Sequence, residues 1–296
     1  MARRRPKEPE TALISGVTHD GRGIADVTGK KVFVAGALAG EEVRFIRRKF
    51  RRNFDEAELL DVLQPSQDRI DARCEAFGRC GGCVFQHVTE QQQRDIKFKA
   101  LQDNLERIGR VSPQEWLEPL VAPVWHYRRR ARLAVKDVPA KGRVLVGFRE
   151  RHAPFITDMY RCEVLAKPVD DLIRPLSELL AELSIRARVP QIEVAVGENA
   201  TALVFRVLDP PKSEDLAALT AFGERHAVRI YLQPGGLDSV TLLYAEEDPQ
   251  PLYYTLNDSG IKIEFEPVGF VQVNHEINQQ MVESAIQRLR VFLRIQ

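Results

Sequence analysis

Four cysteines are the whole thiol complement of this 296-residue chain, and three of them fall within ten residues as Cys74-x5-Cys80-Gly81-Gly82-Cys83. The fourth, Cys162, follows 79 residues after Cys83. So few thiols, so crowded, point to a metal or cluster rather than to disulfides. Two CxxC pairs would indicate zinc. A tight trio with one distant partner is the commoner layout for an iron–sulfur cluster, in which one loop holds three corners and another element the last. The expected ligands are Cys74, Cys80, Cys83 and Cys162, and Gly81 and Gly82 let the loop turn sharply and bring N–H groups to sulfur. Zinc is the alternative; a Cys3His site using His87 would leave Cys162 without a role.

Two basic runs could hold nucleic acid. Arg44, Arg47, Arg48, Lys49, Arg51 and Arg52 are interleaved with Phe45, Phe50 and Phe54, the pairing of cations and rings that grips phosphates and stacks bases. A solvated hairpin with Phe45 in the core is the plainer reading of the same residues. In Tyr127-Arg128-Arg129-Arg130-Ala131-Arg132, strand alternation sends Arg128, Arg130 and Arg132 to one face and Arg129 to the other. Three guanidinium groups on one face call for an anionic partner, and RNA is the natural candidate.

Whole-chain charge decides nothing, because 43 basic residues meet 42 acidic ones. No apolar run approaches the roughly 20 residues needed to span a bilayer, so no membrane role is expected. The start, Met1-Ala2-Arg3-Arg4-Arg5-Pro6-Lys7, has no apolar stretch behind it and is not a secretory signal. A reducing cytoplasm is the expected setting.

The elements that must position these residues divide as follows. Residues 1–10 read as a basic disordered tail. Residues 11–66 hold five short strands with Gly-rich turns, which predicts a small oligonucleotide-binding-type β-barrel. Residues 67–110 carry the cysteine loop and a helix, with Thr89 and Gln92 as a capping box, Gly109 as its stop, and Ile96, Ala100, Leu101, Leu105 and Ile108 as its buried stripe. Residues 111–268 alternate strands and helices in a mixed α/β domain. Its helices are expected over 169–185, with Leu172, Ile173, Leu176, Leu179, Leu180 and Leu183 inward, and from Ser213 onward. Residues 269–296 end in a helix from Glu276 to Leu293, whose stripe of Ile277, Met281, Ala285, Ile286 and Leu289 could drive association.

Several signatures are missing or misleading. Gly21-x-Gly23 opens no helix, so it is a hairpin turn and not a dinucleotide loop. Asp209-Pro210-Pro211-Lys212 resembles a nucleic-acid methyltransferase loop, but two prolines followed by Ser213 end a strand and begin a helix. There is no Ser–His–Asp, Walker or HExxH pattern.

Taken in order, these motifs resemble the bacterial ribosomal RNA (uracil-5-)-methyltransferases, specifically the RlmD (RumA) enzymes. The matching pieces are Val34-Ala35-Gly36-Ala37-Leu38-Ala39-Gly40-Glu41 of a TRAM barrel, the cysteine loop with Gln86-His87, Tyr127–Arg132, Gly147-Phe148-Arg149, Asp158–Cys162, and Phe270-Val271-Gln272-Val273-Asn274. The resemblance covers essentially the whole chain. It implies a [4Fe-4S] cluster on the four cysteines, S-adenosylmethionine at Gln272, the substrate base near Phe270, and 23S ribosomal RNA as partner to a monomer. In that family a cysteine thiolate adds to C6 of a flipped-out uridine, which makes C5 nucleophilic toward the methyl sulfonium; a carboxylate then helps remove the C5 proton.

The family places that thiolate, the base and the glycine-rich donor loop in a Rossmann-like C-terminal domain of about 150 residues. This sequence reaches only the first helix expected there, and its four thiols are all assigned to the cluster. The expectation is an α+β multidomain chain that carries the RNA-binding and cluster-bearing half and is inactive alone. A non-enzymatic RNA-binding iron–sulfur protein is the alternative; a redox carrier is disfavoured, since only one cluster can be built.

Overall fold

A computed structural model describes residues 8–247 and 249–294, with side chains described as far as 290. Most of the basic tail, residues 1–7, lies outside the described residues, and Glu10 already opens a strand.

Five strands follow, β1 (Glu10–Val17), β2 (Arg22–Val27), β3 (Lys30–Ala35), β4 (Glu42–Phe50) and β5 (Phe54–Gln64). They close into a barrel in the order β1-β2-β3-β5-β4, with β3 and β5 parallel. Alternation supplies the core: Ile14, Ala25, Val32, Val34, Val43, Phe45 and Ala57 point inward and are buried. Phe45 is therefore a core residue and not a stacking surface.

Helix α1 (Glu90–Asp103) and the two flanks of the cysteine loop, up to residue 78 and from residue 83, form one compact unit with the barrel. Phe85, Val88 and Ile96 pack with Leu38. Gly21 has φ +78°, and a side chain there would meet the Val84 carbonyl oxygen at 3.0 Å, so the β1–β2 turn needs glycine. Glu41 is fully buried and accepts hydrogen bonds from the Arg69 guanidinium at 2.5 and 2.8 Å and from the Leu38 N–H at 2.8 Å. That ion pair ties the segment after β5 to the barrel.

Helix α1 departs from expectation. Thr89 makes no capping bond; its hydroxyl is 3.2 Å from Asp68. Only Ile96 of the expected stripe is buried, while Leu101 and Ile108 are exposed. The last turn widens into a π-helix over Asn104–Gly109, and Arg110, not Gly109, takes the left-handed conformation at φ +53°.

The second unit holds residues 79–82 and 120–296. Its strands are β6 (Arg130–Val138), β7 (Arg143–Gly147), β8 (Gln191–Val196), β9 (Thr201–Arg206), β10 (Arg229–Gln233) and β11 (Thr241–Tyr244). They form one sheet in the order β11-β10-β9-β8-β6-β7. Only β9 and β10 pair in parallel, joined by α3 (Ser213–His226). Helix α2 (Ile173–Glu182) packs on β7, and every apolar position expected for it is buried. The Asp209–Lys212 stretch ends β9 and leads into α3, where buried Asp215 accepts from the Lys212 N–H at 2.9 Å.

A further hairpin, β12 (Leu252–Leu256) with β13 (Ile261–Phe265), includes one strand that the sequence pattern did not reveal. Leu252 and Phe265 pack with Ala195 and Ala202 of the sheet. The last element is α4 (His275–Arg294), on which Met281 and Leu289 are exposed.

Candidate functional site

The segment between β13 and α4 holds two expected site residues. It is stitched to the start of β6 by three successive arginines. Arg128 pairs with Asn274, the Arg129 N–H donates to the Val273 carbonyl at 2.9 Å, and the Arg130 guanidinium donates to the Pro267 carbonyl at 2.6 Å. The stretch is extended, so alternation turns Val271 inward and leaves Phe270 and Gln272 outward. Phe270 is 84 % exposed, and Gln272 is also exposed. Asn274 then accepts from the Ile277 N–H at 3.1 Å and caps α4.

Arg129, on the opposite face from its neighbours, was not singled out by sequence, although alternation placed it there. Its Nη1 is buried and makes no hydrogen bond among the described residues. Burial pushes its pKa down, against the charges of Glu198 and Glu276. Burial, and then the Arg129 charge, lowers the pKa of His275 at the head of α4, where Gln279 lies 3.2 Å away. Arg129, Glu198, His275 and Glu276 thus form a corner of mixed charge beside the Phe270–Asn274 segment.

Two of the three arginines expected on one face of a strand do meet an anion, but it is intramolecular. Arg130 and Arg132 both reach Glu193 on β8, at 2.7 and 3.0 Å. Glu193 is buried. Arg128 instead donates to the Arg130 carbonyl at 3.1 Å and lies 5.4 Å from the centre of the Phe148 ring. The need for a counter-charge is met within the fold, so these arginines do not by themselves require RNA.

The basic run on β4 is also paired, one cation to one carboxylate of β5. Arg44 meets Asp61 directly across the ladder, Arg48 meets Glu58 at 2.6 Å, and Lys49 meets Glu56 at 3.0 Å. Arg51 is 3.9 Å from Glu56, and exposed Arg52 makes no ion pair among the described residues. Arg47 differs from these, because its side chain is nearly buried and bridges Glu10 at 2.7 Å and fully buried Asp55 at 2.8 Å. Lys30 adds a second cation to Asp55 at 2.6 Å. Burial alone would raise the Asp55 pKa; Lys30 and Arg47 outweigh it and hold the carboxyl below its ordinary range.

Cys74 and Cys83 belong to the first unit, Cys80 and Cys162 to the second. Among the described residues no group of three or more His, Cys, Asp or Glu is placed to hold a metal ion. Cys80 accepts the Gly82 N–H at 3.4 Å, and Cys80 and Cys162 are buried. Four thiols are a donor set that suits a cluster.

A cleft of about 440 Å³ is lined by Asn199, Arg229, Tyr244, Tyr253 and Lys262, among others, and includes neither Phe270 nor Gln272. No helix of the described residues is long and apolar enough to cross a membrane.

Comparison with known proteins adds three findings. Residues 5–60 match the TRAM domain, which accounts for the five-stranded barrel. Over 98 % of its length the chain is 45 % identical to the 23S rRNA (uracil(1939)-C(5))-methyltransferase RlmD of Alkalilimnicola ehrlichii, and over 96 % it is 44 % identical to the enzyme of that name from Methylococcus capsulatus. The Alcanivorax borkumensis enzyme is 43 % identical over 98 % of the chain. The chain spans only 64–66 % of the length of these three relatives. Among solved structures, a Pyrococcus abyssi tRNA (uracil-54, C5)-methyltransferase in complex with S-adenosyl-L-homocysteine superposes with a TM-score of 0.64 at 18 % identity, over 94 % of this chain and 64 % of that one. That likeness shows a shared fold.

Proposed function

We propose that these 296 residues are the RNA-recognition part of an S-adenosylmethionine-dependent RNA (uracil-C5)-methyltransferase that acts on 23S ribosomal RNA in the cytoplasm. The observation that carries the reading is collinear identity of 43–45 % over 96–98 % of the chain to enzymes of that one name. The TRAM barrel agrees with it, as does the exposed Phe270–Asn274 segment.

In this reading Gln272 offers its amide to S-adenosylmethionine, which supplies the methyl group when bound. Phe270 presents a bare ring for contact with the target base, and the arginine stitching of that segment to β6 keeps the two side chains on one side. Arg128, Arg48, Lys49, Arg51 and Arg52 lie near enough to solvent to exchange their present contacts for phosphates. Arg44 can do the same. Arg47, Arg130 and Arg132 are held by carboxylates, two of them buried, and serve the fold.

The cluster is proposed on thiol chemistry and sequence spacing alone: Cys74, Cys80, Cys83 and Cys162 would hold [4Fe-4S] in a structural role, since methyl transfer to uracil has no redox step. Chain purified without oxygen should contain iron and sulfide in equal amounts, and Cys162→Ser should lose both. Zinc in their place, or full iron retention in the variant, contradicts this ligand set.

With all four thiols so assigned, none remains to attack uracil, and these 296 residues by themselves are expected to bind RNA without methylating it. Incubation with 23S ribosomal RNA and labelled methyl donor tests both parts. The expected result is RNA retention without label transfer. Transfer by the 296 residues overturns the assignment of roles, and failure to retain RNA overturns the whole reading in favour of a function unrelated to RNA.

A further inference from the structure

Residues 148–157 form a tight hairpin in the second unit. Glu150 donates to the Phe155 carbonyl and Thr157 to the Phe148 carbonyl, each at 2.9 Å, and Arg149 bridges to Ile156. The outer strand is also paired on its other edge: Gly81 donates to the Arg149 carbonyl and Arg151 to the Arg79 carbonyl, both at 2.9 Å. The result is a three-stranded ribbon of 79–82, 149–151 and 155–157. Across its turn the Arg149 guanidinium donates to the Pro154 carbonyl at 2.9 Å, and Pro154 fixes its own φ. Strand 149–151 is thus held on both edges, and the Arg149–Pro154 bond spans the turn.

Just past that turn stands Phe155, 67 % exposed, while its neighbour Ile156 is buried. A phenyl ring left in water costs free energy that an ordinary surface residue avoids, and a pinned backbone cannot tuck it away. Its surroundings are cationic: Arg79, Arg149 and His152 are exposed in the same ribbon, Arg151 is half-buried, and Glu150 is the ribbon's single acid. A protein-docking patch needs several hundred Å² of contiguous apolar surface. Within the hairpin, Phe155 is the one exposed large apolar side chain. The next exposed aromatic along the chain, Tyr160, lies under the Arg143 and Arg174 guanidinium groups, 4.5 and 5.9 Å from its ring centre.

We propose that the 148–157 hairpin is a stacking finger for single-stranded RNA, in which Phe155 takes one unpaired base on its face while Arg79, Arg149 and His152 contact the flanking phosphates. A rigid ring loses little entropy on stacking, and every base offers a π-face, so the finger adds affinity with little sequence preference. The proposal rests on the RNA-binding reading above and adds a contact remote in sequence from the Phe270–Asn274 segment.

The test measures affinity of the 296-residue chain for a single-stranded 23S ribosomal RNA oligonucleotide across a salt series. Phe155→Ala is expected to weaken binding about tenfold with the salt slope unchanged, and Phe155→Trp to restore it. Arg149→Ala is expected to flatten the slope by about 0.7, the loss of one single-strand phosphate contact. If the unaltered chain binds and Phe155→Ala stays within twofold of it, or Phe155→Trp binds as weakly as Phe155→Ala, the finger is refuted while the RNA reading stands. If the unaltered chain does not bind at all, both fall. Thermal melts of the two Phe155 variants should match the parent, since the ring is outside the core.

Discussion

Two arginine-rich strands, β4 in the barrel and β6 in the central sheet, look alike as sequence and differ as physics. Along β4, cations meet the acids of β5 pair by pair in an open ladder. Exposed pairs of that kind contribute between zero and about 1 kcal/mol and give way readily to a better anion. On β6, Arg130 and Arg132 converge on one buried carboxylate, Glu193, whose removal would strand a buried guanidinium. A run of arginines is thus open to exchange its counter-charges when they are solvated and is a structural lock when they are buried. Arg47 marks the boundary, a member of the exposed run that turns inward to Asp55.

The largest expected effect is therefore at Glu193. Glu193→Ala should destabilise the second unit by about 3–5 kcal/mol, because it leaves Arg130 buried and unpaired; a chemical denaturation midpoint checks this. A loss below 1 kcal/mol would erase the distinction between the strands. Next comes Arg47→Ala, which removes one of the two cations on buried Asp55 and should cost the barrel about 2–3 kcal/mol. The same substitution at Arg48 should stay within about 0.5 kcal/mol, and equal losses at the two sites would contradict the account.

A pH titration sharpens the same contrast. Burial works to raise the pKa values of Glu41 and Asp55, but Arg69 on the first and Lys30 with Arg47 on the second hold both below their ordinary values of 4.5 and 3.8. A depressed carboxyl contributes its full stability above its unfolded pKa and loses it as pH falls toward the folded one. The barrel should therefore weaken progressively below about pH 4.5, and Arg69→Ala should blunt that dependence. A barrel whose stability is flat between pH 5 and 3 would show that these carboxylates are not held as described.

How much of this was legible in sequence follows from which forces act locally. The barrel strands, α2 and α3 could be read because alternation and helical periodicity write burial into spacing; each apolar position named for α2 is buried. The stripe on α1 could not, because periodicity says which residues share a face and not whether anything covers it. Strand β12 escaped because Pro251, Tyr253 and Tyr254 give no clean alternation. The ion pairs on β4 were hidden for a geometric reason. The β4–β5 ladder slips at Arg44/Phe45 and again at Arg47/Lys49, so which acid faces which cation depends on bulges that the strand pattern does not encode. Glu193 carried a faint signal, a lone acid inside the apolar run Ile192–Val196. The cysteine spacing was plain, and its four thiols are divided between the two units. The Phe270–Asn274 segment was named from its motif alone, while the surroundings of Arg129 and the 148–157 hairpin needed backbone geometry to be seen.

The smallest change in stability should bring the clearest change in RNA binding. Replacing Arg48, Lys49, Arg51 and Arg52 together with alanine removes only exposed cations, so folding should hold while RNA contacts disappear. The direct measurement is the slope of log affinity against log salt for a single-stranded 23S ribosomal RNA segment, parent chain against this quadruple variant. The account predicts a steep negative slope for the parent, flattened by about 2–3 in the variant, with unaltered melting. A slope near zero for the parent, or one that the four substitutions leave untouched, would contradict it.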